Sequence, residues 1–240
     1  MTNGSGAAAH LDIGGVFEKT TDIYKRCFGT VWLVALILMV PSSIIVALLG
    51  DDSGLQFLGS LINLAVGAWL IGSIVRIVQD VEADGRVDQS VGEVLGSVLP
   101  RLLPLIALQL VIGIGVAIGL VLLIVPGVIL ALMWIAAVPA FVVEERGVFD
   151  ALSRSSDLTR GNRMRILAVG LIVLAIYVAV GVIGALLVAA APVVGVIVLI
   201  AVVVLAYPYV SIITAVLYFR LRELHGGATD GTVAETNPAV

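Results

Sequence analysis

The chain has 240 residues, 60% apolar and 12% charged, with 13 basic and 17 acidic side chains and a formal net charge of -4. Soluble domains carry about 25% charged residues, so this composition cannot clothe a water-facing surface and excludes a soluble globule. The mean hydropathy of +1.18 points instead to an all-α, polytopic membrane protein.

Residues 1–12 are polar and read as a disordered tail, without the short apolar run and small-residue site of a cleavable secretory signal. An amphipathic stripe comes next, Ile13, Val16, Phe17, Thr20, Tyr24, Cys27 and Phe28, and leads into a charge-free run at 31–49. Further charge-free runs lie at 55–75, 102–125, 128–143, 166–190 and 193–219. A bilayer core about 30 Å thick takes about 20 apolar helical residues, because a helix pairs its own peptide groups where no water can. All but one of these runs meet that length. The run 128–143 reaches only about 24 Å at 1.5 Å per residue, and Pro139 is expected to kink it. It comes after 102–125 across Pro126-Gly127, a turn-forming dipeptide, so a hairpin is predicted there. Ala191-Pro192 splits the stretch 166–219 in the same way, the proline starting a new helix.

Two more amphipathic segments sit between the runs. Val87, Val91, Val94, Leu95, Val98 and Leu99 form a helical stripe, with Ser90 and Glu93 spaced as a capping box and Pro100 ending it. Phe149, Leu152, Ser156 and Thr159 form a shorter one, with Gly161 placed as a C-terminal cap. Each such segment precedes a pair of runs, and the words Gly15-Val16-Phe17-Glu18 and Gly147-Val148-Phe149-Asp150 nearly repeat. The expectation is three tandem units, each an interfacial helix and a transmembrane hairpin, within a 13–225 membrane domain. Such helices would lie at the headgroup boundary, with Arg and Lys reaching lipid phosphate. Residues 226–240 are polar and read as a second disordered tail.

The cations fix an orientation. All 13 fall in the N-terminal segment (Lys19, Lys25, Arg26), the second connection (Arg76, Arg86, Arg101), the fourth (Arg146, Arg154, Arg160, Arg163, Arg165) or the C-terminal segment (Arg220, Arg222). The alternate connections hold none, and the first offers only Asp51 and Asp52. Cytoplasmic loops are enriched in Lys and Arg, which predicts six crossings of a bacterial inner membrane with both termini cytoplasmic. Interleaved acids leave no basic stripe for nucleic acid.

The runs contain no ionisable side chain, which removes the usual basis of ion-coupled transport. Asn63 and Gln109 are candidate intramembrane polar contacts, expected to bond between helices. Gly115 and Gly119 form a GxxxG, and Ala68 with Gly72 a small-xxx-small pair, both read as close packing within the chain. Trp32, Trp134, Tyr207, Tyr209 and Tyr218 are expected belt or packing aromatics. The lone Cys27 excludes an intramolecular disulfide, and His10 and His225 lie in the tails, so no catalytic residue, metal site or cofactor is predicted. Glu144 and Glu145, at the end of the fourth run, could pair with Arg146 or Arg101. Arg154, Arg160, Arg163 and Arg165 are the candidate contacts for anionic lipid or a partner protein.

The run 126–134 (PGVILALMW), then Val138-Pro139 and Val142-Val143-Glu144, then 149–155 (FDALSRS) and 158–163 (LTRGNR), resembles the membrane domain fused to some bacterial glycerophosphoryl diester phosphodiesterases. It is similar also to stand-alone bacterial six-helix proteins of unknown function, and Tyr218-Phe219-Arg220-Leu221-Arg222 fits the same pattern. Ser156 and Met164 stand where the family often carries an aromatic residue or Arg. The resemblance implies an architecture and not the hydrolase reaction, which would need a separate domain. The function expected is a non-enzymatic accessory or scaffold engaging lipid or a partner through cytoplasmic arginines. The alternatives are a transporter or flippase for a neutral or lipid-like solute, with Asn63 and Gln109 lining the path, and a lipid enzyme using Glu144 or Glu145.

Overall fold

A computed structural model describes residues 11–49 and 53–234. Residues 1–10 and 235–240 of the predicted tails, with Asp51 and Asp52 of the first connection, lie outside the described residues. Those described are helical throughout, with no strand among them: α1 (Ile13–Leu49), α2 (Ser53–Asp84), α3 (Val91–Val98), a 3-10 turn (Leu99–Arg101), α4 (Leu102–Leu122), α5 (Ile124–Trp134), α6 (Ala137–Val143), α7 (Val148–Thr159), α8 (Arg163–Ala190) and α9 (Pro192–Ala234).

Five stretches among the described residues are long and apolar enough to cross a membrane: Ile13–Leu49, Gly54–Asp84, Val91–Leu122, Ile124–Val143 and Arg163–Ala190. Their outer faces are apolar. On α8, Leu171, Leu174, Ile183 and Leu186 are 54%, 57%, 58% and 65% exposed. An unbroken apolar surface of this kind is stable against acyl chains and not against water. The buried core gathers at the end of the bundle that carries the charged connections. Ile23 and Cys27 of α1, Ile74 and Ile77 of α2, Leu105 of α4 and Leu217 of α9 are all fully buried there.

The hairpin between α4 and α5 exists, but its turn is not at Pro126-Gly127. The chain reverses at Leu123, whose backbone is extended (φ -162, ψ 138). Pro126 falls in the first turn of α5, where a backbone N–H has no helical partner to lose. Gly127 serves the crossing. A Cβ there would stand 2.5 Å from Leu120 N, and one at Gly119 would stand 2.8 Å from Gly127 Cα. Gly115 faces the Trp134 ring in the same seam, 2.5 Å from a notional Cβ. The GxxxG of α4 therefore packs within the chain. Ala191-Pro192 divides α8 from α9 as its sequence predicts, with Pro192 the first residue of α9.

Pro139 breaks its helix, one turn earlier than its own position. A proline at 139 cannot donate to Ile135, the residue four before it. The helix parts between Trp134 and Ala137, and Ala140 N resumes the ladder on Ala136 O at 3.0 Å. Pro100 does less than expected. The chain tightens into the 3-10 turn and continues into α4, so Pro100 does not end the helical path.

The amphipathic segments turn their stripes onto the protein, and each is joined differently to its neighbouring span. The first is continuous with its span in the 37-residue α1, with Val16, Thr20, Ile23 and Cys27 buried. The second, α3, carries the Ser90–Glu93 capping box and buries Val94 and Val98. Trp69 Nε1 on α2 donates to Leu95 O at 3.1 Å. In the third, α7, the buried stripe is Ala151, Leu152, Ser155, Leu158 and Thr159, whereas Phe149 is 75% exposed. Val16-Phe17 and Val148-Phe149 thus occupy unlike surroundings despite their matching words. Past Phe219, α9 continues to Ala234 and takes in the first residues of the segment whose composition suggests a tail.

Candidate functional site

The charged ends of the helices converge on one ionic cluster. Glu144 stands directly after the last residue of α6, and its carboxylate accepts from Arg146 Nε, from Arg154 Nε on α7 at 3.0 Å, and from the Tyr218 hydroxyl on α9 at 2.9 Å. Tyr218 is fully buried, so its hydroxyl needs that acceptor. Burial pushes the Glu144 carboxyl up, but the hydrogen bonds from Arg146, Arg154 and Tyr218 together outweigh it and hold the group below its ordinary range. Beside it, Glu145 has a left-handed backbone (φ 53) that turns the chain toward α7. Its carboxylate pairs with Arg76 Nη2 of α2 at 3.1 Å and Arg101 Nη2 at 3.6 Å. The Arg101 guanidinium also lies 6.0 Å from the Phe141 ring centroid. A separate pair, Lys19 Nζ to Glu82 at 3.2 Å, joins α1 to the same end of α2.

Two groups expected from sequence are therefore found together, Glu144 with Arg146 and Glu145 with Arg101. The sequence carries no sign of the others. Arg76, Arg154 and Tyr218 come from three helices and meet these carboxylates only in three dimensions. With four guanidinium groups against two carboxylates the cluster is cationic, and each carboxylate is engaged by two of them.

The four candidate arginines of the fourth connection divide. Arg154 is bound to Glu144 as described. Arg165 Nη1 donates to Leu11 O at 2.7 Å, while Leu11 N donates to Asn162 Oδ1 at 3.1 Å, so this segment clasps one residue's backbone just before α1. Gly161 makes the turn, with φ +85, as the cap reading anticipates. Arg160 points outward, 76% exposed on its side chain, and only a 3.7 Å pair to Asp157 holds it. Arg163 Nε is buried with no hydrogen-bond partner among the described residues. Met164 is 76% exposed beside it, and Phe149 lies on the Arg160 face of α7, about 16 Å along the helix.

The intramembrane pair is not brought together. Asn63 is exposed on α2 with no partner among the described residues. Gln109 Nε2 is buried, without a hydrogen-bond partner among the described residues, and its side chain borders a groove of about 580 Å³. Ile71, Val116, Leu120, Trp134 and Val138 line much of the rest. Among the described residues no group of His, Cys, Asp or Glu is placed to hold a metal ion.

No family model, curated protein or solved structure matches this chain.

Proposed function

We propose that the chain is a non-enzymatic accessory or scaffold of a bacterial plasma membrane, crossing it six times with both termini cytoplasmic, and that it engages anionic phospholipid through Arg160 and Arg163. The observation that carries this reading is the outward face at the α7–α8 junction, where Arg160 and the apolar Met164 are each about three-quarters exposed, with Phe149 equally exposed at the far end of α7. Exposed apolar side chains interleaved with guanidinium groups suit the headgroup boundary, where the first enter the acyl region and the second meet phosphate. Arg154 and Arg165 are spent on internal bonds and contribute to the fold instead. The resemblance of 126–165 to the membrane domain of glycerophosphoryl diester phosphodiesterases agrees with such a role, since a membrane domain of that kind accompanies chemistry done elsewhere.

The crossing number is supported by the cluster, which joins the ends of α2, α4, α6, α7 and α9, and by the separate Lys19–Glu82 pair at α1, all ends that a six-span path would leave on one side. A transporter reading asks Asn63 and Gln109 to line one path, and only Gln109 borders the groove.

Each guanidinium near an anionic surface is worth about 1 kcal/mol, so removing two should weaken binding by roughly thirtyfold. Native mass spectrometry of the gently solubilised protein is expected to show retained phosphatidylglycerol, and Arg160→Gln with Arg163→Gln to abolish it while Arg86→Gln does not. Equal retention in all three proteins refutes the proposal, as does retention of a partner protein in place of lipid.

A further inference from the structure

The groove beside Gln109 lies within the apolar spans, away from the arginines, and the function proposed above does not use it. It is bounded by α2, α4, α5, α6 and α9, through Ile71, Gln109, Trp134, Val138 and Thr214 among others. Its volume of about 580 Å³ falls in the range of sites that hold a small molecule. Among the described residues no ionisable side chain lines it. Arg101 stands two turns up α4 from Gln109, about 12 Å away along the axis, and the layer of Leu105, Phe141 and Val142 lies by Arg101 and Arg76. A charged headgroup has no counter-ion in the groove.

The polar groups of the groove are few. Thr214 Oγ1 is already committed, donating to Ser211 O at 2.8 Å. Gln109 is not. Its Nε2 is buried and unpartnered, in surroundings where an unmade hydrogen bond costs about 1–3 kcal/mol. The terminal torsion of a glutamine is broad and two-fold, so the amide can turn either its donor or its acceptor to the groove. From Gln109 the groove runs along α4 to Leu120, about 16 Å at helical rise. That is about half of a 30 Å hydrocarbon core, the length of one acyl chain, and with Arg101 about 12 Å beyond Gln109 it sets the polar end of an occupant near mid-depth, where only an uncharged group is tolerated.

From these features we infer that the groove binds an uncharged glycerolipid of the diacylglycerol class, one acyl chain lying along α4 and the glycerol end meeting the Gln109 amide. Such a lipid presents an ester carbonyl to the donor and a free hydroxyl to the acceptor. A plain hydrocarbon would leave the amide unpaired, and a quinone, having acceptors only, would use half of it.

The test uses the full chain in phosphatidylcholine nanodiscs with a photoreactive diacylglycerol, mapping labelled peptides by mass spectrometry. Label is expected on the α4 and α5 peptides bordering the groove and is expected to be displaced by unlabelled diacylglycerol. Gln109→Leu should reduce it about tenfold, the equivalent of one lost hydrogen bond of about 1.4 kcal/mol. Gly113 lines the groove and has nothing within 4 Å of a notional Cβ. Gly113→Leu should therefore fill the space and remove the label, with thermal unfolding unchanged or improved as the control for folding. Label spread equally over α8, label indifferent to both variants, or label displaced as well by a quinone or an alkane would each overturn the assignment. None of these outcomes touches Arg160 or Arg163, so the two proposals fail separately.

Discussion

Glu144 gathers donors from Arg146, Arg154 and Tyr218 while only 13% of its side chain is exposed. A carboxylate so placed is worth most as the partner whose loss would strand other charges. Breaking a buried ion pair costs about 3–5 kcal/mol, because the remaining ion keeps its desolvation penalty. Glu144→Gln is expected to fall near the lower figure, since Gln still accepts one bond. The pH dependence has a definite sign. The folded pKa lies below the unfolded value, so the contribution is complete above the unfolded carboxylate range near 4.3 and is lost as pH falls through the folded value. Thermal unfolding in detergent should show wild type and variant separated at pH 7 and converging below about pH 4. Parallel curves across that window would remove Glu144 from the account. Ser155 poses a similar question without charge. It is fully buried on α7, donates to Met133 O at 2.7 Å and accepts from Ala136 N at 3.1 Å. One hydroxyl thus spans the break that Pro139 imposes between α5 and α6. Ser155→Ala leaves both peptide groups unpaired and should cost about 2 kcal/mol in the same assay, most of it absent if water enters the gap.

The α4–α5 hairpin shows how an element can be legible in outline and illegible in detail. A charge-free stretch too long for one crossing, interrupted by Pro126-Gly127, requires a reversal. Where the reversal falls depends on which residues must cross closely, and that is a property of two helices at once. Gly127 has no space for a Cβ against the backbone of Leu120, so it belongs in the seam, and the turn moves back to Leu123. Gly127→Ala is therefore expected to destabilise the protein by several kcal/mol, because a backbone atom cannot rotate away, whereas Gly113→Ala, with open space, should be neutral or slightly stabilising through helix propensity. Equal melting temperatures for the two would contradict the crossing. The amphipathic segments depart from expectation for a related reason. Periodicity locates an apolar stripe but does not say whether lipid or protein covers it. On α7 the protein takes Leu152, Ser155 and Leu158, and Phe149, the largest apolar side chain of the segment, faces out. Site residues obey the same rule: local pairings such as Glu144 with Arg146 can be read along the chain, and Arg76, Arg154 and Tyr218 cannot.

At the scale of the whole molecule the governing asymmetry is between a packed, charged end and an apolar remainder. Lys19, Glu82, Arg76, Arg101, Glu144, Glu145 and Arg154 are tied by ion pairs at one end. The opposite reversals, Leu123 and Ala191, carry no cation. Placing a guanidinium in the bilayer centre costs about 2.5–3.5 kcal/mol even on the mildest scale, so the tied end must sit as a unit in one aqueous compartment. The proposed function makes that compartment the cytoplasm, the side on which basic segments are commonly retained. Single cysteines read this directly once the native Cys27, itself buried, is replaced by serine. Ser153→Cys, on the exposed face of α7, is expected to react with an impermeant maleimide only in inverted vesicles. Leu123→Cys and Ala191→Cys should react only in intact spheroplasts. Arg160 and Arg163 would then face the leaflet in which anionic lipid attracts them, as the proposed function requires. Reaction of Ser153→Cys from outside would place those arginines in the other compartment, and reaction of Ser153→Cys and Leu123→Cys from one side would make the α5–α6 segment a re-entrant loop and not a crossing.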